Sequence, residues 1–254
     1  MDLRDPAERD GAGRSQLRNL LAKLTPSVSR DVSDFGAEDA LLVAGQETSG
    51  RLKTLVVGAG DSELTVPAAA RCVYTDVAVG GITQMVSDAH DIPFKNATFD
   101  VVLAIAVLEH VADPYRCADE IHRVLKPNGY VYAVTPFMQQ VHMGRYDFTR
   151  FTHLGHRRLF RRFSEERSGV SNGQGMVLAW SIERYVAGFS GKRSTHSLLR
   201  SIVRFLVFPL LLTDRILAQK PGAFDAASAY YFFGRKSEKT ISDRELVQSY
   251  KGLG

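Results

Sequence analysis

Between residues 53 and 135 the chain repeats one pattern: a short apolar run, mostly unbroken, closed by turn-forming residues. TLVV at 54–57 stops at Gly58-Ala59-Gly60, residues 72–75 stop at Asp76, and a weaker run at 83–86 precedes Ser87-Asp88. VVLAI at 101–105 and VYAVT at 131–135 follow, the latter after the turn KPNG at 126–129. Continuous β-branched runs suit strands buried on both faces, as in a parallel sheet covered by helices on each side. With 254 residues, 44% of them hydrophobic, the chain can build one such domain and is short for two.

Between the fourth and fifth runs lies a helix. Asp113 is placed to cap it, Pro114 suits its first position, and Ala118, Ile121, Val124 and Leu125 form its apolar stripe. Strand, crossover helix and strand make a right-handed unit, and two such units give a doubly wound α/β sheet with its cleft at the strand C-termini. Runs at 176–180 and 229–234 (AYYFFG) bring the expected strands to seven. Residues 1–50 read as an N-terminal helical arm or lid: Leu17, Leu20, Leu21 and Leu24 are stopped by Pro26, and a second helix is expected at 38–44. Residues 51–236 form the main domain, and 237–254 a charged peripheral tail.

Composition narrows the function. A net charge of +4 and a pI near 9.1 fall well short of a dedicated nucleic-acid binder. The basic cluster at 157–162 fits a solvated helix face, so no nucleic-acid partner is expected. Cys72 and Cys117 lie in no CxxC or Cys/His spacing, which argues for reduced thiols and no metal. The N-terminus is polar and lacks an apolar signal core, so a cytoplasmic protein is expected. Residues 198–217 are apolar but interrupted by Arg200, Arg204 and Asp214, and their continuous core at 205–212 is far below the roughly 20 residues of a membrane span. The segment reads as an amphipathic helix broken at Pro209. It either packs on the domain, at a homodimer interface included, or lies on a membrane surface with Arg200 and Arg204 facing phosphates.

The chemistry collects at the run ends. Glycines at 58 and 60 let backbone approach a ligand. The dinucleotide fingerprint GxGxxG is incomplete, because residue 63 is Glu, which weighs against an NAD(P)-dependent oxidoreductase. Asp76, ending the second run, can accept both hydroxyls of a ribose. In SDAHDIPF at 87–94, Asp88 could accept a purine amino group and the Ala89 N–H could donate to a ring nitrogen. Pro93-Phe94 would anchor the loop beneath.

SDAHDIPF, then ATFDVVLAIAVLEHV at 97–111, then VLKPNGY at 124–130, resemble the small-molecule branch of class I S-adenosylmethionine-dependent methyltransferases, quinone-biosynthesis enzymes included. The likeness spans about residues 53–137. It implies a mostly parallel, seven-stranded Rossmann-like sheet with helices on both faces and an antiparallel last strand. It also implies S-adenosylmethionine as cofactor. Gly58, Ala59 and Gly60 would wrap its methionine part, Asp76 its ribose, Asp88 and Ala89 its adenine, and backbone near Ala104 and Ile105 its sulfonium side. Two departures stand out: Val56 occupies the usual acid position, and Ser62 the third small position of the loop. They leave room for a non-catalytic binding protein on the same fold.

A second likeness, to bacterial methyltransferases found among glycan and cell-envelope proteins, covers Pro136-Phe137, His142, RYDFTRFT at 145–152 and Leu159-Phe160. It implies that residues 137–165 cover the acceptor side, with Arg145, Tyr146 and Arg150 as substrate contacts. The alternative makes Tyr146, Phe148 and Phe151 core and Asp147–Arg150 a structural ion pair. The expected acceptor is a small molecule or a glycan- or lipid-linked group, methylated on oxygen. His110 and His142 are the candidate bases, since histidine titrates near neutral pH.

Overall fold

The computed structural model describes residues 25–61, 64, 67 and 70–253. The leucines expected to form the N-terminal arm, and Ser62, lie outside the described residues. Seven strands form one sheet: β1 (Leu52–Val57), β2 (Ala70–Asp76), β3 (Met85–Val86), β4 (Phe99–Ile105), β5 (Leu125–Pro136), β6 (Phe163–Asn172) and β7 (Ala229–Lys236), in the order β3-β2-β1-β4-β5-β7-β6. The first five run parallel, and β7 is antiparallel to both β5 and β6. This is the doubly wound sheet expected from the buried runs.

Strand alternation sends side chains to two cores. On one face Leu55, Val57, Val102, Ala104 and Val131 meet helix α2 (Pro114–Val124) through Cys117, Ile121 and Val124. On the other, Leu52, Val56, Val101 and Leu103 meet α1 (Ala37–Glu47) through Ala40, Leu41 and Ala44. The Asp113 carboxylate caps α2 by accepting from the Arg116 N–H. The 77–84 connection holds no helix, as its short length implies.

Three expectations are corrected. Residues 176–180 are helical, part of α4 (Gln174–Gly188), which follows the short helix α3 (His153–Leu159) and β6. Met176, Ala179, Glu183 and Ala187 form the buried stripe of α4, a helical period that five apolar residues in a row conceal. The sixth strand is instead Phe163–Asn172, a half-exposed edge strand with three Ser, two Glu and one Arg. Finally, α5 (Arg193–Leu217) passes through Pro209 unbroken. An interior proline costs about 3 kcal/mol, but α5 is held along its length against α4. Glu183 accepts from Arg200 at 2.5 Å and from Arg204 at 2.8 Å. Asp214 caps the start of α4, accepting from the Gly175 and Met176 N–H groups at 2.6 and 2.9 Å. Gly173 permits that approach, since a Cβ there would lie 2.4 Å from Asp214 Cγ.

The chain ends with α6 (Ala223–Ala226), β7 and α7 (Asp243–Gln248). The tail docks on the domain: Leu246 is buried, and the Ile241 N–H donates to the Arg161 carbonyl.

Candidate active site

The parallel strands end level. Val57 sits opposite Thr75 and Ala104, Asp76 opposite Val86, and Ile105 opposite Val134. The residues that follow therefore form a row along one sheet edge: Asp88 after β3, Asp76 on β2, Gly58 after β1 and Ala106 after β4. Strands are about 4.8 Å apart, so the row from β3 to β4 spans roughly 14 Å. All eight expected cofactor positions fall on or beside it.

The β1 turn is built to expose backbone. Gly58 and Gly60 have φ of +64° and +56°, where a side chain is strained. A Cβ on Gly58 would meet Val107 Cγ2 at 2.1 Å, whereas one on Gly60 would meet nothing within 4 Å among the described residues. Asp76 ties the turn to β2: its carboxylate accepts from the Gly60 N–H at 2.9 Å and the Ala78 N–H at 3.0 Å. Val56 faces the apolar core beneath α1, where a carboxylate would be costly. The opposite corner rests on His90, which sequence reasoning missed. His90 Nε2 accepts from the Asp113 N–H, so Nδ1 carries the proton it gives to Asp88 at 2.6 Å. The His90 backbone N–H, foremost, holds the Asp88 carboxyl below the usual carboxylate range. Beneath, Phe94 packs edge-on against Phe99 with ring centres 4.9 Å apart, so the loop anchor forms as expected.

Past β4 the chain turns at Ala106, whose φ of +53° is unusual for a residue with a side chain. The turn carries Glu109 and His110. The 137–152 loop closes on it, with Phe148 and Thr149 N–H groups donating to the Glu109 carbonyl. His110 and His142 meet edge to face, ring centres 4.8 Å apart. Glu109 lies between them, fully buried; neither carboxylate oxygen has a hydrogen-bond partner among the described residues, and Oε1 is 3.7 Å from Nε2 of each histidine. His110 Nδ1 donates to the Tyr146 carbonyl at 2.9 Å, so in the neutral ring the lone pair is on Nε2. His142 Nδ1 accepts from Arg150 Nη2 at 3.3 Å, which leaves its proton on Nε2, toward Glu109. Glu109, foremost, holds the His142 pKa above its ordinary value; burial opposes this and Asp147 adds to it. Ligand-type atoms of Glu109, His110 and His142 all lie within 4.8 Å of one another, a spacing that could also hold a divalent cation. No sequence spacing announced it.

The loop residues divide. Arg150 is spent on the loop itself: it pairs with Asp147 and donates to the Gln139, Gln140 and Thr149 carbonyls. Phe151 is core and Phe148 is exposed. Arg145 is exposed with its guanidinium over the Tyr146 ring. Gln140 reaches α4, donating to Ser181 Oγ at 3.0 Å.

Comparison with known proteins adds an independent line. Residues 48–133 match the methyltransferase domain family. Among solved structures, the chain is similar to the [4+2]-cyclase SpnF (14% identity, 87% of this chain and 91% of that one, TM-score 0.47). It is likewise similar to an S-adenosylmethionine-dependent methyltransferase of Methanosarcina mazei (14%, 78% and 98%, TM-score 0.45) and to the YcgJ protein of Bacillus subtilis (13%, 79% and 99%, TM-score 0.42). With TM-scores below 0.5 these likenesses carry no weight beyond the domain match.

Proposed function

We propose that this chain, whose residues 48–133 match the methyltransferase domain family, is a class I S-adenosylmethionine-dependent methyltransferase, and we propose which residues hold the cofactor and which serve the acceptor. S-adenosylmethionine, when bound, supplies a methyl group activated by a sulfonium. The row of Asp88, Asp76, Gly58 and Ile105 has the length and polarity to hold its adenine, ribose and methionine in that order, with Ala89 beside the adenine, Ala59 and Gly60 around the methionine, and Ala104 beside Ile105. Asp76 would exchange its loop N–H partners for ribose hydroxyls, or accept both.

The acceptor comes from the other side, under the 137–165 loop. It is a small molecule or a glycan- or lipid-linked hydroxyl, and the transfer is O-methylation. The observation that carries this reading is Glu109, a buried carboxylate between two imidazoles beside the glycine turn. A hydroxyl must shed its proton as its oxygen is methylated. His110 Nε2 presents a lone pair for it, and Glu109 offsets the charge that forms. His142, with its Nε2 proton toward Glu109, fixes the carboxylate. Arg145, exposed on the loop, is the remaining guanidinium for an anionic acceptor group, with the Tyr146 ring beside it and Arg150 bracing the loop from behind. The rest of the chain frames this site, with α1 over one face of the sheet and the α4–α5 pair beside the loop.

Calorimetry with S-adenosylhomocysteine tests the cofactor row. Asp76→Ala and Asp88→Ala should each weaken binding by about 1–3 kcal/mol, the cost of stranding polar ligand groups. Unchanged affinity in folded variants refutes the assignment. The compact ligand set of Glu109, His110 and His142 supports a second reading, a cation that orients the acceptor oxygen. Chelator treatment separates the two: the acid–base reading expects no loss of turnover, the cation reading a loss restored by metal.

A further inference from the structure

The α4–α5 pair turns an unusual face outward. Leu198, Ile202, Phe205, Leu206, Leu212 and Ile216 recur at helical spacing along α5 and are about half to three-quarters exposed, Leu206 at 74%. No charged residue interrupts this stripe, which runs about 27 Å at 1.5 Å per residue. Of the four charges that break the hydrophobic run in the sequence, three turn inward and only Arg215 is exposed. Arg200 and Arg204 bind the buried Glu183, and buried Asp214 caps α4. The expected meeting of Arg200 and Arg204 with phosphates is therefore replaced by a meeting with Glu183. At the turn between the helices, Tyr185 and Phe189 are 71% and 77% exposed and pack edge to face. Leaving such side chains in water forgoes the stabilisation of their burial.

The charge says what the face suits. Residues 174–220 hold seven basic and two acidic residues, a net +5 against +4 for the whole chain. The chain's positive excess thus lies in the stretch that holds this helix pair, both acids are buried, and Arg184, Lys192, Arg215 and Lys220 are exposed. Apolar residues rimmed by cations match the acyl boundary and headgroups of an anionic bilayer. A second copy of the same face would bring like charges together.

Thr195–Leu217 is long and apolar enough to cross a membrane by length and composition alone. Its setting argues for lying flat. Both ends of the pair join the sheet, through β6 and β7, so a crossing would carry α4 along. That helix has 15 residues, and Glu183 and Arg184 would enter the hydrocarbon with it.

We propose that the outer face of α4 and α5 docks in-plane on an anionic lipid surface, beside the loop that covers the acceptor side. Flotation of the full chain with vesicles tests it, independently of methyl transfer. The chain should float with phosphatidylcholine vesicles containing phosphatidylglycerol and float far less with phosphatidylcholine alone. Phe205→Asp with Leu206→Asp should cut vesicle binding at least about tenfold. Arg184→Glu with Lys192→Glu should cost about fivefold or more per residue, and only on the anionic vesicles. S-adenosylhomocysteine affinity and melting temperature should stay unchanged in all variants. Equal or absent flotation for the chain and its apolar-face variant overturns the proposal. So does a dimer in light scattering that the aspartates dissociate, which would make a second copy the occupant. A melting temperature lowered by the aspartates without flotation overturns it too, and would assign the cover to residues 1–24.

Discussion

Two histidine pairs sit in this domain, and their surroundings make them opposite. His153 and His156 on α3 are buried among aromatic rings: His153 against Phe224 and Tyr230, His156 against Phe160 and Phe232. Burial pushes their pKa values down, to about 4 and about 3. His110 and His142 flank a carboxylate at the sheet edge, and His142 is pushed up instead. Aromatic walls lower a histidine's affinity for a second proton, whereas a buried acid beside it raises that affinity. Residue type says nothing of which; the neighbours decide.

The comparison breaks first on turnover. His110→Gln should lower acceptor-dependent release of S-adenosylhomocysteine by about 10²–10⁴-fold, the usual reach of a general base. His156→Leu should leave the rate close to that of the parent chain. Equal losses would mean the two pairs do not differ in kind.

Acid stability gives a smaller effect. A histidine whose folded pKa is depressed takes up its proton more readily unfolded, so stability falls as pH drops from about 6.5 toward the folded values. For His153 and His156 together the loss should be on the order of a few kcal/mol by pH 4, read from denaturant midpoints. His156→Leu should flatten that limb. His142 has the opposite sign: its contribution is complete below about 6.5 and fades as pH rises through its raised folded pKa. Glu109→Gln should bring the His142 titration, followed by NMR, back down; a midpoint that stays put sinks the pairing.

The smallest effect concerns the loop that carries His142. Asp147 accepts from the His142 N–H at 2.8 Å and pairs with Arg150. Asp147→Asn should cost about 1–3 kcal/mol in denaturant unfolding. A cost near zero would make the loop self-supporting without this pair.

The frame was legible because β1, β4 and β5 are buried on both faces and so appear as unbroken runs, and because Asp113-Pro114 announces a helix start. Strand β6 was not: as an edge strand, with Glu165, Glu166 and Arg167 in its middle, it carries no apolar signature. Met176 to Trp180 misled for the opposite reason, an apolar cluster too short to reveal its period. Gly58, Asp76 and Asp88 could be placed at the sheet edge because strand ends fix their positions. Glu109 and His90 could not, since each draws its role from residues about 20 to 35 positions away, brought close only when loops close.

Asp214 caps a helix that begins 40 residues before it, and among the described residues β6 pairs with β7 alone, beyond that helix pair. Neither contact exists until nearly the whole chain has been made. The final third is therefore tied together by contacts between residues far apart in sequence, the kind that slow folding. A truncation before Ala229 would cost far more than the strand it removes.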